Sequence, residues 1–555
     1  MLEWSFNRLL FWVICFGLTV SLLLGGCNSH EFDPPAEEST PPTSYSDDGI
    51  LDGADEDREE KDVCINGETR TGTTPCGPAN DGNLLQECLN DLWGDMELQN
   101  LTNCVGASEV CQSGETEEPG TCPIRDVQAT ITSYNTLVAA VVVTTNVQAA
   151  VAVRYRRAGS PYRWTNSTAV GRRHELTVVG MRAETIYQLQ AVATIDGVKT
   201  YAPPIQIETG SLPGDIRDFS VVVYSAADVS PGFTLFSVDD GNGPSPEVAV
   251  DEEGDVVWYS FENGGDCDVK LMSSGDLLFC GHEVKRVSVG GEVKASIEYQ
   301  PEFHHDATEV SGGFAALSTQ LHPLNIPAFG GDVSIRSDRI IEMDWNGNFR
   351  WEWDAFDHMD TTRFPTQSSR THWYAGEFYE WTHANSLTYI PENDTFMLSM
   401  RHQHWVILVS RLTSEVLWRL GADGDFELLS GEWFYGQHNP ELFSDGRLLV
   451  YDNGTDRPNT EVPYSRAVMY QLDFEAMTAT QIWEWRTEDF TAFIGGINLL
   501  ENENVLVCAG GMINWSPDAP PPIARVTEVK GDRKVWELVA PGNIYRARRI
   551  TSFYR

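Results

Sequence analysis

The sequence predicts an all-β protein: a six-bladed β-propeller preceded by a β-sandwich and a small disulfide-rich module. Repetition is the first observation. Between residues 215 and 555, strand-turn-strand units end in a Gly or charged turn, apolar residues and a Trp. They are Gly254-Asp255-Val256-Val257-Trp258, Gly347-Asn348-Phe349-Arg350-Trp351, Glu415-Val416-Leu417-Trp418, Gln481-Ile482-Trp483 and Lys534-Val535-Trp536. A sixth unit without the Trp is Gly291-Glu292-Val293-Lys294. The second observation is that this region reads as strands with no amphipathic helix, and self-similar strand units of this period build propellers. Six units predict six blades, and the apolar 548–553 stretch is expected to complete the first or the last of them.

Length and charge bound the remainder. A chain of 555 residues exceeds one core, so two or three domains are expected. The net charge of −44 excludes nucleic acid as a partner, because phosphates need a basic surface. An anionic substrate would therefore need a locally basic pocket.

Arg8, the apolar run Leu9 to Leu24 and the small residues Gly25-Gly26 before Cys27 read as an export signal. The ending of this 1–27 signal segment resembles the bacterial lipobox, which implies cleavage before Cys27, lipidation of Cys27 as the first residue of the mature protein and anchoring to the envelope, on the periplasmic or cell-surface side of an outer membrane. Residues 28–62 are acidic and Pro- and Ser-bearing, the composition of a disordered tether. Within 63–122, Cys64, Cys76, Cys88, Cys104, Cys111 and Cys122 read as a disulfide framework, since the stretch has no C-x-x-C pair and no His for zinc. Their connectivity is open.

Residues 123–211 carry strands at sandwich spacing: 137–143, 150–155 and 187–193. The stretch 174–187, around Leu176 and Tyr187, resembles the fibronectin type III signature and implies a spacer or packing role. Within the propeller, Cys267 and Cys280 flank the Gly275-Asp276 turn at a separation suited to a cross-strand disulfide.

The chemistry concentrates where inner strands begin, because the first strand of each propeller blade lines the central channel. Three successive blades start Phe303-His304-His305-Asp306, Trp381-Thr382-His383-Ala384 and Gly436-Gln437-His438-Asn439. The middle blade adds Arg401 after its second strand, beside His383 at the same sheet end. Three His at matching positions plus an Arg make an anion site at the channel mouth. Only one of His304 and His305 should face inward, since adjacent strand residues alternate. Trp381, Trp405, Trp433, Phe434 and Tyr435 either stack an aromatic ligand or form propeller core.

These motifs resemble the PAPS-independent arylsulfate sulfotransferases. The matching pieces are His304-His305, the Trp-x-His-x-Asn-Ser of 381–386, the Ser-x-Arg-His-Gln of 399–403, Gln437-His438 and Tyr464-Ser465-Arg466-Ala467-Val468-x-Tyr470, in family order across 215–555. The resemblance implies ping-pong transfer of a sulfuryl group from an aryl sulfate to a phenol through a sulfated histidine, with His438 at the nucleophile's place and no cofactor. The residue types suit that chemistry: a neutral imidazole can attack sulfur, Arg401 and His383 can hold the sulfuryl oxygens, and His304 or His305 can carry the phenol's proton. Arg466 is either a further anion contact or an inter-blade salt bridge.

Two other readings stand beside this one. A tethered propeller could bind sulfated or phenolic ligands without turnover. His402 and His404 with His304, His305 and Asp306 could instead hold a divalent metal. A homodimer is left open by the sequence.

Overall fold

The computed structural model describes residues 123–554, apart from 240–244, 263–267, 367, 371, 374–377 and 512–521, and the backbone of strands Thr69–Cys76, Gly82–Leu89, Leu92–Asp95 and Cys104–Val105. Cys27, Cys64, Cys111, Cys122 and Cys267 lie outside the described residues, and so do the signal and tether readings of 1–62. Cys76, Cys88 and Cys104 fall on strands described for the backbone alone.

Seven strands between Ile124 and Glu208 form two sheets that share one long strand, Ala139–Arg157. Its first half pairs with Ile124–Ile131 and Gly171–Val178, and its second half with Ile186–Ile195. A register shift between Thr144 and Ala149 lets the chain pass from one sheet to the other. Val141, Val143, Val151, Val153 and Tyr155 alternate inward and are all buried, which is the period-2 pattern a two-layer core requires. This domain is docked on the propeller. The Tyr554 hydroxyl donates to the Thr177 carbonyl at 3.0 Å and accepts from the Val179 N–H at 2.9 Å, while Arg182 pairs with Asp251 at 2.6 Å.

Six blades close a ring. The first is Phe233–Ser237, Glu247–Val250 and Val256–Ser260, with Ala547–Ile550 as its inner strand. Inner strands Val269–Leu271, His304–Val310, Ala384–Ile390, His438–Leu442 and Gly496–Leu499 open the second to sixth blades. The sixth ends in Arg533–Pro541, with Ser220–Val223 added outside it. The ring is thus latched twice: a late strand enters the first blade and an early strand edges the last. The C-terminal stretch completes the first blade, one of the two places the sequence allowed.

All six repeat units become the outer strands of their blades: Val256–Ser260, Val293–Glu298, Phe349–Asp354, Val416–Gly421, Thr478–Arg486 and Arg533–Pro541. Their Trp residues have a shared task. The indole N–H of Trp258 donates to Val289 O (2.9 Å), that of Trp353 to Ser414 O (3.0 Å), that of Trp483 to Gly531 O (2.9 Å) and that of Trp536 to Glu252 O (2.7 Å). Each bond reaches a turn of the following blade and ties neighbours together. In the third blade the bonding residue is Trp353; the Trp351 of the repeat stacks on Phe396 at 5.4 Å instead. The hydrophobic clusters lie between consecutive blades, as between Trp353 and Leu387 or Phe236 and Leu506, so the core is a ring of sheet-on-sheet contacts around the channel.

Candidate active site

The three predicted histidine positions converge at one end of the channel. His304 opens the third blade's inner strand, His383 immediately precedes the fourth's, and His438 opens the fifth's. Ring centroids lie 5.0 Å apart for His305 and His383, 4.6 Å for His383 and His402, and 4.9 Å for His304 and His305. Bulges set up this arrangement: register shifts fall between His304 and Ala307, Ala384 and Ser386, and His438 and Glu441. His305 has φ 56, His383 φ 49 and Asn439 φ 46. Strict alternation therefore fails here. The expectation that only one of His304 and His305 faces inward is corrected by their contact, Nδ1 to Nδ1 at 2.7 Å.

His438 is oriented by a residue that sequence reasoning did not select. Both N–H groups of the Asn453 amide donate to carbonyls, those of Thr491 and Ile494, at 2.8 Å each. Its oxygen must then accept from His438 Nδ1, 2.6 Å away. Nε2 of His438 keeps its lone pair. Burial, then the Arg401 charge, holds this imidazole well below its usual pKa, so it is neutral at pH 7.

Arg401 starts the short helical turn Arg401–Gln403, and its backbone N–H donates to His383 O at 3.1 Å, which fixes the adjacency expected at this sheet end. Its Nη1 donates to His402 Nε2 at 2.9 Å and its Nη2 to Ala492 O at 3.2 Å, leaving Nε without a hydrogen-bond partner among the described residues. His402 is in turn tied through Nδ1 to Glu380 O at 2.8 Å, and burial holds it neutral. His383 Nδ1 lies 3.1 Å from the Glu380 carboxylate, which also pairs with Arg336. Burial pushes that carboxylate up, but His383 and Arg336 together hold it well below its ordinary range. Tyr545, also unselected from sequence, places its ring 6.0 Å from His305 and 6.5 Å from His438. It lies two residues before the closing strand Ala547–Ile550, far along the chain from the histidines.

Other candidates lie elsewhere. Arg466 binds Asp452 at 2.8 Å, Glu484, and the carbonyls of Glu432 and Trp433, so it cross-links the fifth blade to its own entry loop. It is an intra-blade tie, away from the channel histidines. Trp381 and Trp405 are core residues whose indole N–H groups donate to Arg363 O and Ala422 O, both at 2.8 Å. Trp405 also carries the Arg363 guanidinium on its face at 3.8 Å. Tyr435 packs edge-on against His404 at 5.0 Å.

The metal set is not brought together. His404 accepts from Gly436 N–H, and Asp306 binds Lys270, Arg546 and the Leu387 N–H. A different trio, Glu380, His383 and His402, does offer three ligand atoms within 4.8 Å of one another. Its donors are already engaged by Arg336 and Arg401, whose charges oppose a cation. What remains is a neutral imidazole near a buried guanidinium, an arrangement whose charge suits an anion.

Comparison with known proteins agrees. The arylsulfotransferase (ASST) family model matches residues 220–546. The chain belongs to the arylsulfotransferase family. The arylsulfate sulfotransferase AssT of Escherichia coli O6:H1 is 28% identical over 210 residues, 32% of this chain and 35% of that one. The AssT of Lelliottia amnigena is 25% identical over 183 residues, 27% of this chain and 31% of its own. The chain thus spans about a third of the length of the curated relatives it matches. A solved protein of unknown function from Bacteroides caccae aligns at 13% identity and a TM-score of 0.35, over 58% of this chain and 100% of that one, a likeness too slight to carry an argument. The His, Arg and Asn set described above lies inside the matched segment.

Proposed function

We propose that the protein transfers a sulfuryl group from an aryl sulfate ester to a phenol through a sulfated His438. The observation that carries this reading is the Asn453 bond, which leaves a neutral imidazole with a directed Nε2 lone pair beside Arg401. In the first half-reaction Nε2 attacks sulfur, the S–O bond to the aryl group breaks, and the phenolate leaves with a proton. In the second, the acceptor phenol gives up a proton, its oxygen attacks sulfur, and the S–N bond breaks. Charge that builds on the non-bridging oxygens meets Arg401 and His383, groups held in place before the reaction. His305, between His383 and Tyr545, is the proton carrier at the aryl oxygen. Such two-step transfer needs no sulfonucleotide and no metal. Anchoring at Cys27 would set this activity at the membrane surface of the envelope.

The test is a burst assay with p-nitrophenyl sulfate. Without acceptor the protein should release one nitrophenolate per molecule, then turn over steadily once phenol is added. His438→Ala should abolish both phases in a folded protein. A variant with normal rates sinks the mechanism, and steady release without acceptor would make the protein a sulfatase.

A further inference from the structure

Asp338 and His304 form a second line behind His305, and no sequence motif singles out Asp338. Asp338 lies on the third blade's strand Gly331–Asp344 and is buried. One carboxylate oxygen, Oδ2, is occupied: it accepts from the Thr382 hydroxyl and from the Ala384 N–H at 2.8 Å. The other, Oδ1, lies 3.2 Å from His304 Nε2. On the far side of that ring, His304 Nδ1 meets His305 Nδ1 at 2.7 Å, a distance that requires a proton between two nitrogens. The line therefore runs Asp338, His304, His305, and ends at His305 Nε2. The bulge at His305 is what allows it, since a regular strand would turn the two rings to opposite faces.

We propose, resting on the transfer reaction above, that His304 and Asp338 are positioning residues that store the catalytic proton between the two half-reactions. In the loaded store His304 holds protons on both nitrogens, its charge facing Asp338, and His305 carries its proton on Nε2. When the donor's aryl oxygen leaves, His305 Nε2–H protonates it and His305 Nδ1 takes the proton from His304 Nδ1. His304 is then neutral, with its proton on the Asp338 side. The acceptor phenol reverses every step: its proton goes to His305 Nε2, and the Nδ1 proton of His305 returns to His304. One proton leaves the store and one comes back, so the cycle closes without exchange with solvent. The other groups facing the pair are His383 with Glu380 from the fourth blade, His438 from the fifth, and Tyr545 from just before the closing strand. Among these, Glu380 is already matched by His383 and Arg336, which leaves Asp338 as the counter-charge for His304.

The experiment compares two donors in the full chain. Nitrophenolate leaves without needing a proton, whereas the phenolate of phenyl sulfate needs one. In His304→Gln, loading from phenyl sulfate should fall on the order of 10²-fold and loading from p-nitrophenyl sulfate far less. The acceptor step should become dependent on alkaline pH, where phenol ionises unaided. Asp338→Asn should reproduce that pattern and Asp338→Glu should restore it toward the parent, which separates a missing charge from a damaged fold. Equal losses with both donors, or an unchanged pH profile in both variants, would overturn the store. Absence of a burst in the unaltered protein would instead overturn the transfer reaction itself.

Discussion

Asn453 sets the tautomer of His438 through a single hydrogen bond to Nδ1. Replacing it by Ala frees the ring to place its proton on either nitrogen and to rotate. Asn453→Ala should therefore slow loading on the order of 10²-fold in single-turnover kinetics. Because it also removes the donors that the buried Asn453 amide gives to the carbonyls of Thr491 and Ile494, it should lower the melting temperature in calorimetry. The sequence could reveal His304, His383, Arg401 and His438, because His and Arg at equivalent blade positions are a visible coincidence. Asn453 and Tyr545 were hidden for different reasons. Asn453 is an uncharged residue after a second strand, at the place where the preceding blade has Arg401, so aligning blade with blade would have found it. Tyr545 joins the site only through ring closure. The pairing of His304 with His305 was misread because alternation was assumed through a bulge.

At the scale of elements, the outer strands explain why the repeat was legible. In four of the six, a tryptophan both fills the gap between blades and donates one hydrogen bond to the next turn, so the pattern survives where loops differ. Trp536 is buried and its N–H reaches Glu252 O across the junction of the last and first blades. Trp536→Phe keeps most of the packing but strands that carbonyl. It should cost about 1–3 kcal/mol in a urea titration, whereas Leu417→Ala, at a half-exposed site on the fourth blade's outer strand, should stay within about 0.5 kcal/mol. The third blade shows the limit of reading by motif, since Trp351 fits the pattern while Trp353, two residues on, holds the bond.

For the whole molecule, two features decide stability: how the ring shuts and what the site keeps uncharged. The closing strand brings Arg546 and Arg548 against Asp268, both at 2.8 Å, and Arg546 also lies 3.1 Å from Asp306. Arg546 is completely enclosed, so Arg546→Met leaves two carboxylates short of a partner and should cost about 3–5 kcal/mol, measured by denaturant titration. Acid should act through the histidines. His174, His305, His402, His404 and His438 are all held below their usual pKa, chiefly by burial, His404 to about 3. The unfolded chain therefore binds protons near pH 6.5 that the folded chain refuses, and stability is lost as pH falls through that range. Asp251, raised by burial to about 6, and Glu441, also raised by burial, work in the opposite direction, because the folded state holds their protons where the unfolded state has released them. Five groups outweigh two, so the melting temperature should drop between pH 7.5 and 5; a flat profile would contradict these protonation states.

The double latch has a further consequence in time. Every histidine of the site, Arg401 and Asn453 have been made before Ala547–Ile550 appears, since that strand follows all other described strands in chain order. Until it arrives, the first blade lacks its inner edge, Asp268 lacks two arginines, and Tyr545 is missing from between His305 and His438. A growing chain can thus hold His438 but cannot enclose it. A chain cut before Tyr545 therefore lacks both the inner edge of the first blade and the ring between His305 and His438.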